Sequence, residues 1–143
     1  MNLRVKRLHP DAKIPVKTTE GASCFDLSAV EDGVIPPGGR ALIKTGLAMA
    51  VERGFEVQVR SRSGLALKHG VSVLNSPGTV DSDYRGEVGV ILINNGDKPF
   101  SFSRGDRVAQ AAVVQVAIGR IEEVQTLEDT ERGVGGFGST GVS

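Results

Sequence analysis

The sequence predicts an all-β domain, and three observations carry that prediction. Glycine makes up 19 of the 143 residues, about twice its average share of roughly 7%, which indicates many turns. Aromatic residues are 4% of the chain and Trp is absent, so the core must be built largely from Val, Ile, Leu and Ala, among which the β-branched residues favour strands. Short segments that alternate apolar with polar residues end at turn sequences, as strands do.

The individual elements are predicted from this alternation and from the breakers between them. Residues 3–8 (LRVKRL) and 55–60 (FEVQVR) alternate as strands with one wet face do. One short helix is predicted at residues 64–69, with Ser63 as its N-cap and Gly70 as its end. Breakers such as PPGG, NNGD and RGD separate the other candidate strands, which are residues 24–30, 41–51, 71–74, 87–93, 99–102, 108–116 and 118–124. Many short strands with frequent turns favour a sandwich, a barrel or a jelly roll.

Length and charge limit the class of protein. We expect residues 1–143 to form a single domain. The 17 basic and 17 acidic residues cancel, so no overall field draws the protein to nucleic acid or to an anionic membrane. Apolar runs fall far short of the roughly 20 residues of a membrane span, and we expect a cytoplasmic protein with neither partner. One Cys and two His exclude a disulfide framework and most zinc sites.

The C-terminal residues differ in composition from the rest of the chain. Residues 133–143 include five glycines and too few apolar side chains to order the segment by burial, so we expect a flexible arm. Extended at about 3.3 Å per residue, it reaches on the order of 35 Å, far enough for a neighbouring subunit. Arg132, Ser139, Thr140 and the glycine amides suit phosphate, and Phe137 suits stacking on a base. The alternative is a mobile polar terminus.

Two further segments carry groups that could bind or activate a substrate. In RSRSGLA (residues 60–66), Arg62, Ser63 and the first helical amides could converge on an anion. The alternative is an ordinary helix start with surface arginines. In NSPGTVDSDYRGE (residues 75–87), a turn precedes two aspartates and a tyrosine. This segment is either a charged hairpin or a place where a carboxylate activates water.

The last two segments are weaker signals. In GDRVAQ (residues 105–110), Gln110 taken alone is most simply a surface residue of a strand. In CFDLSA (residues 24–29), Asp26 lies within an apolar run, where a carboxylate needs a partner or a cation. Cys24 has no neighbouring His to activate it and is interpreted as a buried thiol.

Taken in order, the five segments resemble the five signature motifs of the homotrimeric dUTPase (dUTP diphosphatase) family. The matching stretches are FDLSA, RSGLA, GTVDSDYRGE, GDRVAQ and RGVGGFGSTG. The first motif departs from the family pattern in residues 22–25, where a glycine is usual. The resemblance implies a distorted jelly-roll β-barrel with one short helix. It also implies a homotrimer whose three active sites each draw on all three chains, with the C-terminal arm (residues 132–143) closing over nucleotide bound at a neighbour.

The resemblance implies hydrolysis of dUTP to dUMP and pyrophosphate, which supplies dUMP for thymidylate synthesis and keeps uracil out of DNA. Asp81 would be the base that directs water to the α-phosphorus, and Tyr84 would lie under the deoxyribose. Uracil would be read by Asn75 with the backbone of Thr79, Val80 and Asp81. The remaining substrate-binding residues would be Arg62, Ser63, Gly64, Gln110, Arg132, Phe137, Gly138, Ser139 and Thr140. Asp26 would hold Mg²⁺ through water, together with the substrate phosphates.

Two other functions remain open at this point. One is a non-catalytic regulator of the same fold that binds dUTP as a signal. The other is an enzyme similar to dCTP deaminases, which share the fold and act on cytosine.

Overall fold

The computed structural model describes residues 2–143. Within them, eleven strands and one helix follow one another along the chain: β1 (Arg4–Arg7), β2 (Phe25–Ser28), β3 (Gly33–Ile35), β4 (Arg40–Lys44), β5 (Leu47–Ala50), β6 (Phe55–Arg60), α1 (Ser63–His69), β7 (Val71–Val73), β8 (Gly78–Val80), β9 (Gly89–Asn94), β10 (Phe100–Phe102) and β11 (Arg107–Gln115). The prediction of an all-β fold with one short helix is confirmed. No helix of residues 2–143 is long and apolar enough to cross a membrane.

The strands pair antiparallel in four sheets. The largest has the order β2-β11-β6-β8, and a second has the order β4-β9-β7. Two-stranded pairs, β1-β5 and β3-β10, complete the set. The arrangement is jelly-roll-like, and no single closed barrel joins the strands of residues 2–143.

The core follows the alternation in the sequence. In β6, Val57 and Val59 are buried while Gln58 and Arg60 are partly exposed on the opposite face. In β9, Val90 and Leu92 are likewise buried. Aliphatic side chains and alanines dominate the buried cluster, as the composition predicted. The polar face of the largest sheet is therefore available for a site.

Two predicted strands differ from the structure. The predicted strand at 41–51 is two strands, because Gly46 takes a positive φ of 70°. The Thr45 hydroxyl accepts a hydrogen bond from Leu47 N (3.3 Å) and donates one to Val88 O (2.6 Å). The predicted strand at 118–124 is wrong for this chain, since these residues pair with no strand and are exposed, with Ile121 99% exposed. Unpaired backbone of this kind needs another partner to become a strand.

Two smaller differences concern short elements. Strands β3 and β8, with three residues each, were not predicted, because such short segments carry little alternation. The prediction of Ser63 as N-cap is wrong: Ser63 is the first helical residue, and Arg62 is the N-cap without a side-chain capping bond. Gly70 ends the helix with a φ of 67°, as predicted for a left-handed stop.

Candidate active site

The largest sheet brings three of the candidate segments side by side. Gln110 in β11 lies opposite Asp26 in β2 on one side and opposite Arg60 in β6 on the other. Directly opposed residues of antiparallel strands point to the same face. Asp26, Gln110 and Arg60 therefore form a row of polar side chains across the sheet.

Hydrogen bonds hold the neighbouring side chains of this row in place. Arg62 donates from Nη1 to the carbonyl oxygen of Arg107 (2.9 Å). Gln110 donates from Nε2 to the carbonyl oxygen of Ser61 (3.0 Å). Arg107 pairs through Nη1 with Asp26 Oδ2 (3.3 Å). We call Asp26, Arg62, Arg107 and Gln110 the polar cluster.

The polar cluster carries excess positive charge at the end of the sheet. One carboxylate, that of Asp26, pairs with the guanidinium group of Arg107, while the guanidinium group of Arg62 bonds to the Arg107 carbonyl oxygen. Side-chain exposure is 15% for Asp26 and 49% for Arg107, so the positive groups reach solvent more than the negative one does. Ser63 and Gly64, at the exposed start of α1, lie next to Arg62 along the chain. This arrangement can bind an anion such as a phosphate group.

Asp81 follows strand β8, which pairs with the opposite edge of β6. Val80 lies opposite Val57, and Thr79 lies opposite Gln58. The strand ends at Val80, and the N–H of Tyr84 donates to the carbonyl of Asp81 (3.2 Å) to close a turn. Asp81 is exposed in a groove that also includes Glu56. A water molecule can therefore reach its carboxylate.

The turn also resolves how two aspartates and a tyrosine share one short segment. An extended segment 79–84 would place Asp81 and Asp83 on one face and Tyr84 on the other, but the turn after Val80 removes that constraint. The Tyr84 side chain is 45% exposed, and its hydroxyl donates to the carbonyl oxygen of Glu87 (3.0 Å). Asn75 is exposed at the start of the same loop, beyond β7. The Ser76–Pro77 peptide bond between Asn75 and β8 is cis.

The arm contacts little besides itself. Its backbone hydrogen bonds run between residues 130 and 141, such as Ser139 N to Gly136 O (3.1 Å). Arg132 Nε donates to Gly135 O (2.8 Å), also within the arm. Phe137 has a positive φ of 51° and a fully exposed ring. The arm's Arg132, Phe137, Gly138, Ser139 and Thr140 are thus not brought to the polar cluster or to Asp81 within this chain.

The candidate metal residue offers a single carboxylate. Among residues 2–143, no group of three or more His, Cys, Asp and Glu side chains is arranged to hold a metal ion. Asp26 alone fits a Mg²⁺ ion that keeps water and is bound mainly by substrate phosphates, which is common for this ion. In residues 22–25 no side-chain-bearing residue takes a positive φ, so the departure from the glycine pattern there puts no strain on the backbone before Asp26.

The fold and these polar regions define a β protein whose polar cluster, on an antiparallel sheet, can bind an anionic ligand. The dUTPase family model matches residues 10–141. The deoxyuridine 5'-triphosphate nucleotidohydrolase of Wolinella succinogenes is 59% identical over all of this chain and 96% of its own length. That of Nautilia profundicola is 55% identical over 99% of both chains. The chain belongs to the dUTPase family.

Solved structures agree with that assignment. A mutant dUTPase of Staphylococcus bacteriophage 80alpha, solved with dUpNHpp, matches with a TM-score of 0.91 at 25% identity over 99% of both chains. A mutant dUTPase of phage phi11 of S. aureus, described with a structural Mg(II) ion, matches the fold with a TM-score of 0.83 at 22% identity over 90% of this chain. The family recognised from the five motifs is confirmed.

Sequence reasoning missed two arginines that the sheet register brings to the site. Arg107 pairs with Asp26 and presents its carbonyl to Arg62. Arg60 lies opposite Gln110 and donates to Gln58 Oε1 (3.0 Å). Arg60 lies in RSRSGLA and Arg107 in GDRVAQ, but only the pairing of β2, β11 and β6 reveals their neighbours.

Proposed function

We propose that this chain hydrolyses dUTP to dUMP and pyrophosphate with a water molecule that Asp81 activates. Hydrolysis of dUTP to dUMP is the activity of the family to which the chain belongs. The observation that supports the role of Asp81 is its exposed carboxylate on a turn that the β8–β6 pairing fixes. Its groove gives water direct access.

The reaction balances with one proton acceptor. Asp81 accepts a proton from the water molecule as the water oxygen bonds to the α-phosphorus, and the bond from that phosphorus to the bridging oxygen breaks. Arg62 and Gln110 hold the phosphates, and their positive and N–H groups stabilise the pyrophosphate that leaves. A Mg²⁺ ion bound by the phosphates and by Asp26 through water would neutralise further charge.

The uracil base and the deoxyribose are recognised by residues on the Asp81 side of the sheet. Asn75 and the backbone of Thr79, Val80 and Asp81 bind uracil, and the exposed ring of Tyr84 lies under the deoxyribose. A ring in that place leaves no room for a 2′-hydroxyl group. The positions of Asn75 and Tyr84, both exposed around one loop, support this role.

The arm completes the site from another copy of the chain. Arg132, Ser139, Thr140 and the N–H of Gly138 bind the terminal phosphates, and Phe137 stacks on uracil. Support comes from the exposed ring of Phe137 and from an arm that forms its hydrogen bonds only locally. The proposal includes residues 1–143 acting as one domain with a flexible arm, in a cytoplasmic homotrimer.

The distance between the two halves of the site also favours a shared site. Asp81 lies near Glu56, while Gln110 lies opposite Arg60 at the other end of β6. The two positions are about 13 Å apart along β6, and they flank it on opposite sides, about 10 Å apart across the sheet. Attack on phosphorus requires reacting atoms within about 3.5 Å. The two groups can act on one substrate if Asp81 of one copy lies against the polar cluster of another copy.

Intersubunit complementation tests the shared site. Asp81→Asn and Arg62→Ala chains are each expected to be nearly inactive as purified homo-oligomers. Co-refolded mixtures regain pyrophosphate release if Asp81 and Arg62 come from different copies, because some sites then hold neither change. A mixture that stays inactive, or a single-chain mass by light scattering, would contradict the trimeric site.

Product analysis tests the reaction itself. Pyrophosphate release with Mg²⁺ is measured from dUTP beside dTTP, dCTP and UTP, and ammonia release is measured from dCTP. Release from dUTP alone is expected. Binding of dUTP without release would indicate the regulator, and ammonia from dCTP would indicate the deaminase.

A further inference from the structure

Tyr84 is held at its tip by one backbone oxygen. Its hydroxyl donates to the carbonyl of Glu87 (3.0 Å), while 45% of the side chain is exposed. A half-exposed ring has little packing to stop it from swinging aside. The position of the Glu87 carbonyl therefore decides where the ring rests.

The Glu87 side chain and the Val88 backbone tie this segment to the corner between β4 and β5, which we define as residues Thr45 to Leu47. Gly46 donates its N–H to Glu87 Oε2 (2.9 Å). Leu47 accepts from Val88 N (2.7 Å), and Thr45 donates its hydroxyl to Val88 O (2.6 Å). The corner is buried, so it provides a rigid base.

Gly86 leaves the space that the tyrosine hydroxyl occupies. A Cβ at this position would lie 2.6 Å from Cζ of the Tyr84 ring and closer still to its hydroxyl. Gly86 is not among the residues with positive φ, so the need for glycine here comes from the ring and not from the backbone angle. The ring is thus confined by a hydrogen bond on one side and by a close backbone on the other.

We infer that Glu87 is a positioning residue for sugar selection, acting through Tyr84. This rests on the proposed role of Tyr84 under the deoxyribose. The Glu87 carboxylate fixes the segment whose carbonyl anchors the ring, and a fixed ring excludes a 2′-hydroxyl that a movable ring would admit. A displacement of about 1 Å in a positioning group can change rates by about 10²-fold. Because the ring excludes the 2′-hydroxyl, a displaced ring should change the preference for dUTP over UTP.

The test compares kcat/KM for dUTP and for UTP on the same sample. The ratio of the two values is independent of the fraction of folded enzyme, which separates positioning from loss of stability. Glu87→Ala removes the acceptor for Gly46 N–H, and we expect the ratio to fall about tenfold, mainly through faster UTP hydrolysis. Glu87→Gln keeps an acceptor oxygen and is the matched control, with a ratio within about threefold of the unmodified enzyme.

Two further variants guard against a Glu87→Ala chain that does not fold. Tyr84→Phe keeps the ring and loses only the hydroxyl, and Gly86→Ala pushes on the ring without changing Glu87. Both are expected to lower the dUTP/UTP ratio. An unchanged ratio in both would overturn the inference.

Tyr84→Ala separates this inference from the proposed function. If Tyr84→Ala collapses the ratio while Glu87→Ala and Tyr84→Phe leave it intact, the anchoring role of Glu87 is wrong and the role of Tyr84 stands. If Tyr84→Ala also leaves the ratio intact, the proposed role of Tyr84 is wrong, and the inference built on it is overturned as well.

Discussion

The groups carried by the four-stranded sheet and those carried by the arm differ in how they are held. In the polar cluster, Arg62, Arg107 and Gln110 already bond to their own chain. In the arm, Phe137 is fully exposed and Arg132 bonds only to a nearby glycine. The sheet thus holds its groups in place without substrate, whereas in the proposed function the arm would order only when substrate binds. We expect substitutions of sheet residues to affect the chemical step, and substitutions or deletions in the arm to affect substrate binding.

The largest effect should come from Asp81→Asn. The amide cannot accept the proton from water, so kcat should fall about 10²- to 10⁴-fold, with dUpNHpp binding nearly unchanged by calorimetry. Asp83→Asn is the matched control, because its carboxylate is exposed in the same groove, and it should retain activity. Equal losses in both variants would mean that the groove charge, and not Asp81, matters.

Deleting residues 132–143 should have the next largest effect. The loss of base stacking and of the arm's phosphate contacts should lower kcat/KM by about a hundredfold or more. The thermal midpoint should stay within about 1 °C, since the arm's hydrogen bonds run only to itself and to the adjacent Thr130. Removal of Val142 and Ser143 alone is the control. A large drop in thermal midpoint would show that the arm supports the fold and would weaken the contrast with the sheet.

Phe137→Ala sharpens the contrast within the arm. Loss of stacking on uracil should lower kcat/KM about tenfold, mostly through KM. Val134→Ala changes an equally exposed side chain in the same segment and should have no effect. Similar losses in both would argue against a stacking role for the ring.

Arg62→Lys should have the smallest effect of the four. Arg62 already donates one N–H to the Arg107 carbonyl, and its planar group has further donors for phosphate. A lysine ammonium cannot reproduce that fork, so kcat/KM should fall about fivefold. Arg104→Lys, at an arginine paired with Asp11 (2.9 Å), is the control and should behave as the unmodified enzyme. An unaffected Arg62→Lys enzyme would show that charge alone suffices.

The strands with a wet face could be predicted from sequence because alternation reports local burial. Residues 3–8 and 55–60 are recovered closely as β1 and β6. The break inside 41–51 was missed because a positive φ at Gly46 and a hydroxyl turned back at Thr45 leave the apolar pattern intact. The segment 118–124 shows the opposite error, since its pattern predicts a strand for which this chain provides no partner.

A role for Asp81 could be proposed from sequence because a carboxylate after a turn carries its own chemistry, whereas Gln110 taken alone is most simply a surface residue. The contribution of Arg107 could not be predicted, because it depends on which residue of β2 lies across from β11. The anchor of Tyr84 was equally hidden, since Glu87 and Gly46 are 41 residues apart in sequence. Pairing between distant segments is information that periodicity does not contain.

The uncovered segment before the arm has a consequence for how the protein responds to dilution. Ile118, Ile121 and Leu127 are 65%, 99% and 81% exposed in the single chain. In the proposed homotrimer, neighbouring copies would cover this aliphatic surface, which would link association and folding in one equilibrium. The temperature at which the protein unfolds should therefore rise with its concentration, and a cell that makes little of the protein holds it closer to its unfolding threshold.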